Sequence, residues 1–166
     1  MPHRVRQVEP AHIGELIRIA DETNLSAWSA QNYLDEFKNK FSLMFRLEAE
    51  TNGTIGFIVG RTVPGMENGL DAEIYNIAIT VDHQMRGNGQ LLLDAFIVEC
   101  ADQYVGNIWL EVRESNCKAL KFYQNNGFLR IQTRSHFYEN PREHAILMKL
   151  DLACLSRPPL APKSKT

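Results

Sequence analysis

The sequence predicts an α/β fold in which a single mixed sheet, mostly antiparallel, carries flanking helices. Hairpin patterns near both ends of the chain indicate antiparallel strands, because extended runs alternate there with turn signals. A strand–helix–strand segment lies between them, and a crossover of that kind joins parallel strands. The 166 residues suit one domain with its own hydrophobic core.

The elements of the first half follow from periodicity and from turn residues. Pro10 suits the first turn of a helix, Ser29 is a favourable helix N-cap, and Asn52-Gly53 is a strong hairpin signal. The predicted elements are, in order, a strand over residues 3–8, a helix over 10–22, a helix that follows Ser29, and strands over 41–50 and 54–63.

The second half is predicted in the same way. Residues 64–70 contain Pro, Gly and Asn and are predicted to form a loop, and Asn126-Gly127 is predicted to end a helix. The other elements are a strand over 72–81, a helix over 90–104, a strand over 107–112, a helix over 116–125, and strands over 128–137 and 144–150. Residues 1–152 form the predicted domain, and the tail 153–166 is predicted to be disordered.

Charge and cysteine content exclude several classes of protein. The net charge is −2, from 18 basic and 20 acidic residues, and no basic block indicates nucleic-acid binding. No N-terminal stretch resembles a signal peptide and no apolar run is long enough to span a membrane. The glycosylation patterns at Asn24 and Asn52 are therefore interpreted as chance matches. The three cysteines are predicted to be free thiols, and the protein is predicted to be cytoplasmic.

The central motif is the glycine turn, residues 84–89, which reads Gln84-Met85-Arg86-Gly87-Asn88-Gly89. It lies between a predicted strand and a predicted helix. Glycines allow a positive φ and a close approach of a ligand to the backbone. The helix that follows offers unpaired N–H groups and the positive end of its dipole. The motif predicts a binding site for a phosphate or diphosphate, although a plain strand-to-helix turn accounts equally well for the glycines alone.

Two nucleotide-binding motifs do not fit this sequence. Gly60 and Gly65 have the spacing of a Walker A loop, but Met66 stands where the lysine is required. The Rossmann pattern needs a third glycine, and Leu92 occupies that position. The glycine turn therefore belongs to neither class.

The glycine turn and its flanks resemble the GNAT superfamily of N-acetyltransferases. Residues 84–89 match the acetyl-CoA signature of that family: Gln or Arg, any two residues, Gly, any residue, then Gly or Ala. The resemblance covers about residues 3–150, is strongest over 72–128, and is similar to the branch of bacterial ribosomal-protein-alanine N-acetyltransferases. Other matching segments are Tyr75–Ile79, Leu110–Asn116, Ala119–Tyr123 and Asn126–Phe128, together with Trp28-Ser29 and Phe137-Tyr138.

Some positions depart from the family pattern. Asn88 and Gln90 replace an apolar and a basic residue around the second glycine, and Cys117 stands where a small residue is common. Ser135 and His136 replace basic and amide residues before the late aromatic pair. The departures at 88, 90 and 117 leave acetyl-CoA as the predicted cosubstrate. The departures at 135 and 136 affect the prediction of the acceptor.

The resemblance implies an acetyl-CoA-dependent enzyme that needs no metal and in which a neutral amine attacks the thioester directly. It implies that the main chain of Ile77, Ala78 and Ile79 pairs with the pantetheine arm and stabilises the oxyanion. The other implied cosubstrate contacts are Gln84, Met85, Arg86, Gly87, Asn88, Gly89, Gln90, Asn116, Ala119 and Tyr123.

Two side chains are predicted to move protons. By resemblance, Glu111 is the base, acting directly or through a water, and an α-amine with a pKa of about 8 makes that task modest. Tyr123 is the predicted acid. Proton transfer from its phenol, of pKa about 10, to a thiolate of pKa about 8.5 costs about 2 kcal/mol. Without the resemblance, Glu111 is an ordinary solvated carboxylate and Tyr123 a buried packing ring.

Three functions are compatible with these residues. Acetylation of a protein N terminus, such as that of a ribosomal protein, predicts an open groove shaped by Trp28, Phe137 and Tyr138, although Trp28 suits the core equally well. Acetylation of a small amine predicts an enclosed pocket with acidic residues such as Glu73, Glu111 and Glu114. A non-catalytic acetyl-CoA-binding module needs neither Glu111 nor Tyr123. We favour the first, with Trp28, Glu73 and Tyr138 binding the acceptor, no nucleic-acid or membrane partner, and a monomer or homodimer.

Overall fold

The computed structural model, which describes residues 3–25, 28–50 and 53–155, divides the chain into two units, Met1–Val105 and Gly106–Thr166. Short 3-10 turns occur at Pro10–His12, Met66–Asn68 and Val81–His83. The strands and helices are β1 (Arg4–Gln7), α1 (Ile13–Glu22), α2 (Ala30–Lys38), β2 (Ser42–Ala49), β3 (Gly53–Pro64), β4 (Leu70–Ile79), α3 (Asn88–Asp102), β5 (Val105–Arg113), α4 (Cys117–Asn125), β6 (Leu129–Glu139), β7 (Arg142–Asp151) and α5 (Leu152–Leu155).

The first unit is built on four antiparallel strands in the order β1-β2-β3-β4. Phe57 and Val59 of β3 belong to a buried cluster with residues of α1 and α2. A Cβ at Gly60 would point to the opposite face, because side chains alternate along a strand. Gly60 lies so close to α3 that a Cβ there would come within 2.5 Å of the Phe96 ring. Helices therefore cover both faces of this sheet.

Strand β4 contains a bulge at Tyr75. Val59 of β3 pairs with Asn76, and the next residue, Gly60, pairs with Ile74, so Tyr75 is the extra residue. A bulge bends a strand and changes which of its side chains share a face. Tyr75 and Ala78 consequently both pack against the cluster of α1 and α2, although simple alternation would place them on opposite faces.

Two predicted helix caps are confirmed. The Ser29 hydroxyl accepts a hydrogen bond from the Asn32 N–H at 3.2 Å, and Asn32 Oδ1 accepts one from the Ser29 N–H at 2.8 Å. Asn116 Oδ1 accepts a hydrogen bond from the Ala119 N–H at 3.1 Å. These bonds satisfy donors that a helix leaves unpaired at its start, so α2 and α4 begin where short polar side chains allow it.

The second unit carries three antiparallel strands in the order β5-β7-β6. Strand β6 bulges between Arg134 and Tyr138, where three of its residues stand opposite the single residue His144. His136, in the middle of the bulge, has a positive φ of 51°, and its N–H donates to His144 Nδ1 at 3.0 Å. The bulge leaves Phe137 exposed at the surface.

The structure differs from the sequence-based prediction at several boundaries, and two of these differences have a clear local cause. Helix α3 begins at Asn88 rather than at Gln90, because Gly87 takes a φ of +79° and turns the chain into the helix earlier. Helix α5 includes the first three residues of the predicted tail: Leu152 is buried, and the Asp151 carboxylate accepts the Ala153 N–H at 2.9 Å. The division into a domain and a tail at residue 152 stays a prediction.

Some predictions fall on residues outside the described ranges. These are the rest of the tail, 156–166, the first residue of the Asn52-Gly53 turn, and the last residue of the glycosylation pattern at Asn24. Within the described part of the chain, no helix combines the length and the apolar character needed to cross a membrane.

Replacement of Tyr33 by phenylalanine is expected to make the protein less sensitive to alkaline pH. Tyr33 is fully buried, and burial raises the pKa of its phenol from 10.0 to about 12. Because the folded-state pKa is raised, the stabilisation by the neutral phenol is complete below pH 10 and is lost as the pH approaches 12. Denaturant titrations across this range should show the variant losing about 1–2 kcal/mol less unfolding free energy than the wild type. Tyr104→Phe, at a residue 90% exposed, is the matched control. If the unfolding free energies of the wild type and Tyr33→Phe fall by the same amount between pH 10 and pH 12, the prediction is wrong.

Candidate active site

The glycine turn connects β4 to α3 in the first unit. Gly87 is the N-cap of α3 with a φ of +79°, and Met85 also has a positive φ, of 60°. The first N–H groups of an α-helix have no partner within the helix, and here the N-cap has no side chain to bond to them. The turn therefore presents backbone donors and the positive end of the helix dipole, which suits an anion.

Two side chains of the glycine turn form hydrogen bonds to the chain segment that precedes it. Gln84 Nε2 donates to the Ile79 carbonyl at 2.9 Å, and Asn88 Nδ2 donates to the His83 carbonyl at 2.8 Å. A Cβ placed on Gly87 would meet no atom within 4 Å. Backbone donors next to open space are what a phosphate or diphosphate requires, so the turn fits the predicted cosubstrate. Of the other predicted contacts here, Met85 and Arg86 are exposed, Gly89 is half-buried, and Gln90 donates to Asp94 at 2.7 Å.

The end of β4 is held by β3. Ile77, Ala78 and Ile79 pair with consecutive residues of β3, 58, 57 and 56. The side chains of Ala78 and Ile79 are buried. Any contact that these two residues make with a ligand therefore goes through their main chain.

Farther back along β4, the carboxylate of Glu73 is bonded to Tyr75, the residue at the bulge. The Tyr75 hydroxyl donates to Glu73 Oε2 at 2.8 Å, and the Trp28 ring packs on the Tyr75 ring with centroids 5.8 Å apart. Arg61 lies 5.7 Å from the centroid of the same ring and pairs with the buried Glu36. Burial, and then the bond to Glu73, raises the pKa of Tyr75, so its hydroxyl remains a donor. Glu73 is thus a positioned carboxylate. Trp28 packs both against the edge of the buried cluster and against Tyr75.

In the second unit, Glu111 of β5 is paired with an arginine. Arg134 of β6 reaches across β7, and its guanidinium binds the Glu111 carboxylate. The same guanidinium lies 4.8 Å from the centroid of the Phe137 ring. Glu111 is therefore a positioned group, 24% exposed at its side chain, rather than a freely solvated strand-end carboxylate. A cation that approaches Glu111 has to share the carboxylate with Arg134.

Tyr138 lies next to Glu111 and is held by Arg113. Burial raises the pKa of Tyr138, and the charge of Glu111 raises it further. The Arg113 guanidinium lies 4.1 Å from the centroid of the Tyr138 ring and donates to the carbonyls of Asn140 and Pro141 at 3.2 and 3.1 Å. Arg113 thereby fixes the turn between β6 and β7 and the aromatic ring that precedes it.

Tyr123 lies on α4 and is 5% exposed. Its ring contacts the rings of Phe122 and Phe128, each with centroids 5.3 Å apart. Burial, and then the neighbouring Tyr138, raises the pKa of Tyr123. The hydroxyl therefore keeps its proton across the physiological pH range, which is the state required of a proton donor. The raised pKa also makes the phenol a weaker acid, so proton transfer to a thiolate costs more than the value of about 2 kcal/mol that follows from an ordinary phenol.

The start of α4 is fixed from β7. Glu143 of β7 accepts a hydrogen bond from the Ser115 N–H at 2.5 Å, and Ser115 and Arg113 hold the pKa of that carboxyl below its ordinary value. Asn116 follows directly and caps α4 through the Ala119 N–H. The loop that carries Asn116 is thus tied to the strand next to Glu111.

The predicted site residues fall in both units. The first unit carries the glycine turn, the end of β4, Trp28 and Glu73, and the second brings Glu111, Tyr123 and Tyr138 into one electrostatic cluster. Sequence reasoning missed Tyr75 and Arg134. Tyr75 was within reach, since residues two apart in a strand share a face and Glu73 was already a candidate. No signal connects Arg134 with Glu111, which lies 23 positions earlier and two strands away.

In the first unit, the glycine turn has backbone donors that suit an anion. In the second unit, Glu111 is a carboxylate, a group able to accept a proton, and Tyr123 is a protonated phenol, a group able to donate one. Residues 13–128 match the acetyltransferase (GNAT) family. The chain is similar to the [ribosomal protein bS18]-alanine N-acetyltransferase of Haemophilus influenzae, with 34% identity over 87% of this chain and 95% of that protein.

Solved structures confirm the predicted fold class. The chain is similar to the ribosomal-protein-S18-alanine N-acetyltransferase of Escherichia coli, with a TM-score of 0.80 and 27% identity over 91% of this chain and 94% of that one. It is also similar in fold to NAA60 of Arabidopsis thaliana, solved in complex with acetyl-CoA. The TM-score there is 0.84 at 14% identity, over 92% of this chain and 99% of that one.

Proposed function

The chain belongs to the acetyltransferase (GNAT) family, and on this premise we propose that it transfers the acetyl group of acetyl-CoA to the N-terminal α-amine of a ribosomal protein. It is an N-acetyltransferase with acetyl-CoA as its cosubstrate. The observation that carries the proposed acceptor is the similarity, over nearly its whole length, to the Haemophilus influenzae enzyme named for ribosomal protein bS18. We expect the protein to act in the cytoplasm, without a nucleic-acid or membrane partner, as a monomer or homodimer.

The geometry of each unit supports roles for its own residues. The glycine turn offers backbone donors to the diphosphate of acetyl-CoA, and the cosubstrate supplies the activated thioester. Glu111 accepts the proton of the acceptor amine, which competes with Arg134 for the carboxylate. Tyr123 gives its proton to the departing thiolate. Ile77, Ala78 and Ile79 offer main-chain groups to the pantetheine arm, Asn116 and Ala119 contact the same arm, and Trp28, Glu73 and Tyr138 contact the acceptor.

The experiment that tests the acceptor is an assay of thiol release with mass spectrometry of the product. One substrate is a hexapeptide with the N-terminal sequence of ribosomal protein bS18 from the organism that produces this acetyltransferase. A second is the same peptide with its α-amine blocked, and a third is a set of polyamines and amino acids. The proposal predicts acetylation of the free α-amine alone. Release only with small amines would reject the protein acceptor and leave the enzyme class unchanged.

Gly87→Ala is expected to weaken acetyl-CoA binding. An alanine at φ +79° costs about 1–2 kcal/mol in the left-handed region, so the turn shifts to relieve the strain. A shift worth about 1.4 kcal/mol raises the Kd for acetyl-CoA about tenfold. Gly14→Ala is the matched control, because Gly14 lies within α1 with a free Cβ position and no positive φ. Equal affinity in the two variants would argue against the glycine turn as the diphosphate site.

Glu73→Gln is expected to raise KM for the peptide about tenfold and to leave KM for acetyl-CoA unchanged. The substitution removes a charge that Tyr75 holds in place, while the amide can still accept the Tyr75 hydrogen bond. Steady-state kinetics with each substrate varied in turn separate the two constants. Glu67→Gln removes one negative charge from an exposed side chain of the same unit and serves as the control. An equal change in both KM values would count against a role in binding the acceptor.

A further inference from the structure

His3, just before β1, forms a hydrogen bond to the glycine turn from far away in the sequence. His3 Nδ1 lies 2.8 Å from Oδ1 of Asn88, a residue 85 positions later in the chain. Asn88 is the first residue of α3 and is 4% exposed. Its Nδ2 donates to the His83 carbonyl at 2.8 Å, so both ends of the buried amide are bonded. The side chain of Asn88 therefore links β1, the segment before the glycine turn, and α3.

The direction of the bond follows from the amide. Nδ2 of Asn88 is engaged as a donor to a carbonyl, so Oδ1 is the atom that faces His3 and accepts. Nδ1 of His3 must then carry a hydrogen. The neutral ring with its hydrogen on Nδ1 and the protonated ring both meet this condition, so the bond does not depend on the charge of His3.

His83 completes the arrangement. Its Nδ1 lies 2.9 Å from the Thr80 hydroxyl, and its ring meets the ring of His3 edge-on with centroids 6.1 Å apart. The segment that enters the glycine turn is therefore held at the His83 carbonyl and at the His83 ring. Gly87 and Met85, both at positive φ, are the points at which the turn itself bends.

We propose that His3 is a positioning residue for acetyl-CoA binding, which it serves by fixing the first turn of α3 through Asn88. The orientation of the backbone N–H groups at the start of α3 depends on the orientation of that turn, and these groups are the donors offered to the diphosphate. The inference rests on the proposed cosubstrate site. It also explains why a polar residue stands at position 88: an apolar side chain can bond to neither the His83 carbonyl nor His3.

The first test measures acetyl-CoA affinity by calorimetry, together with steady-state kinetics, in His3→Ala and His3→Asn. Loss of one hydrogen bond is expected to raise the Kd and KM for acetyl-CoA about fivefold in His3→Ala, with kcat and peptide KM unchanged. Asparagine carries an N–H donor close to the position of Nδ1, so His3→Asn is expected to restore most of the affinity. Gln7→Ala, at an exposed position of β1, is the control.

A double-mutant cycle separates positioning from general loss of structure. Asn88→Leu removes both amide bonds, so adding His3→Ala to it is expected to cause no further loss of affinity. Unchanged acetyl-CoA affinity in His3→Ala would overturn the proposal, and so would additive losses in the double variant. Equal loss in His3→Ala and His3→Asn, with a lowered Tm in both, would assign His3 to packing instead.

The Gly87→Ala variant identifies which inference has failed. If it binds acetyl-CoA normally, the diphosphate does not lie at the glycine turn, and both the proposed site and the role of His3 are rejected. If Gly87→Ala binds weakly and His3→Ala binds normally, the proposed site stands and only the role of His3 is rejected.

Discussion

Glu111→Gln is expected to lower kcat with an N-terminal peptide about 10³-fold at pH 7, with KM for acetyl-CoA unchanged. The amide is similar in shape to the carboxylate, and Arg134 can still donate to its oxygen, but it cannot accept a proton from an amine. An α-amine has a pKa of about 8, so little of it is neutral at pH 7. The deficit is therefore expected to shrink as the pH rises toward 9, where solvent supplies the neutral amine.

The measurement is a pH profile of kcat and kcat/KM for the wild type, Glu111→Gln and Glu114→Gln. Glu114 follows the end of β5 and is exposed, which makes it a control for removal of a negative charge nearby. If the ratio of the wild-type kcat to the Glu111→Gln kcat stays constant from pH 7 to pH 9, Glu111 does not remove the proton of the free amine. Wild-type activity in Glu111→Gln would reject a catalytic role altogether.

Tyr123→Phe is expected to lower kcat about 10²-fold and to leave Tm close to that of the wild type. Phenylalanine keeps the ring contacts with Phe122 and Phe128, so the packing of α4 is preserved while the proton donor is lost. Because burial holds the pKa of the Tyr123 phenol above its ordinary value, the wild-type donor stays protonated and does not limit activity up to pH 10.

This prediction is checked by kinetics and thermal unfolding of the same preparations, with Tyr104→Phe as the control for loss of a phenol at a 90% exposed position. If Tyr123→Phe loses kcat and keeps Tm, the hydroxyl takes part in the reaction. If it keeps kcat, Tyr123 serves only to pack α4, which is the alternative that the sequence left open.

Interactions between residues close in the chain could be predicted well. Ser29 and Asn116 cap helices because their side chains bond to N–H groups three residues later, a geometry that depends on local backbone alone. Gly87 adopts the positive φ for which glycine is suited, and the turn it forms starts α3. The fold class followed from the same kind of evidence, since hairpins and a strand–helix–strand segment leave periodic patterns in sequence.

The immediate surroundings of the candidate residues could not be predicted. The sequence by itself determined which residue types were available: a carboxylate at 111, a phenol at 123, a glycine turn at 84–89. Only the tertiary structure decided that Arg134 would bind Glu111, that a bulge would set Tyr75 beside Trp28, and that His3 would reach Asn88. The physical reason is that these contacts depend on strand register, on one extra residue in β4, and on chain segments up to 85 positions apart. Such contacts form only when the strands and helices of each unit are assembled, so no local pattern records them.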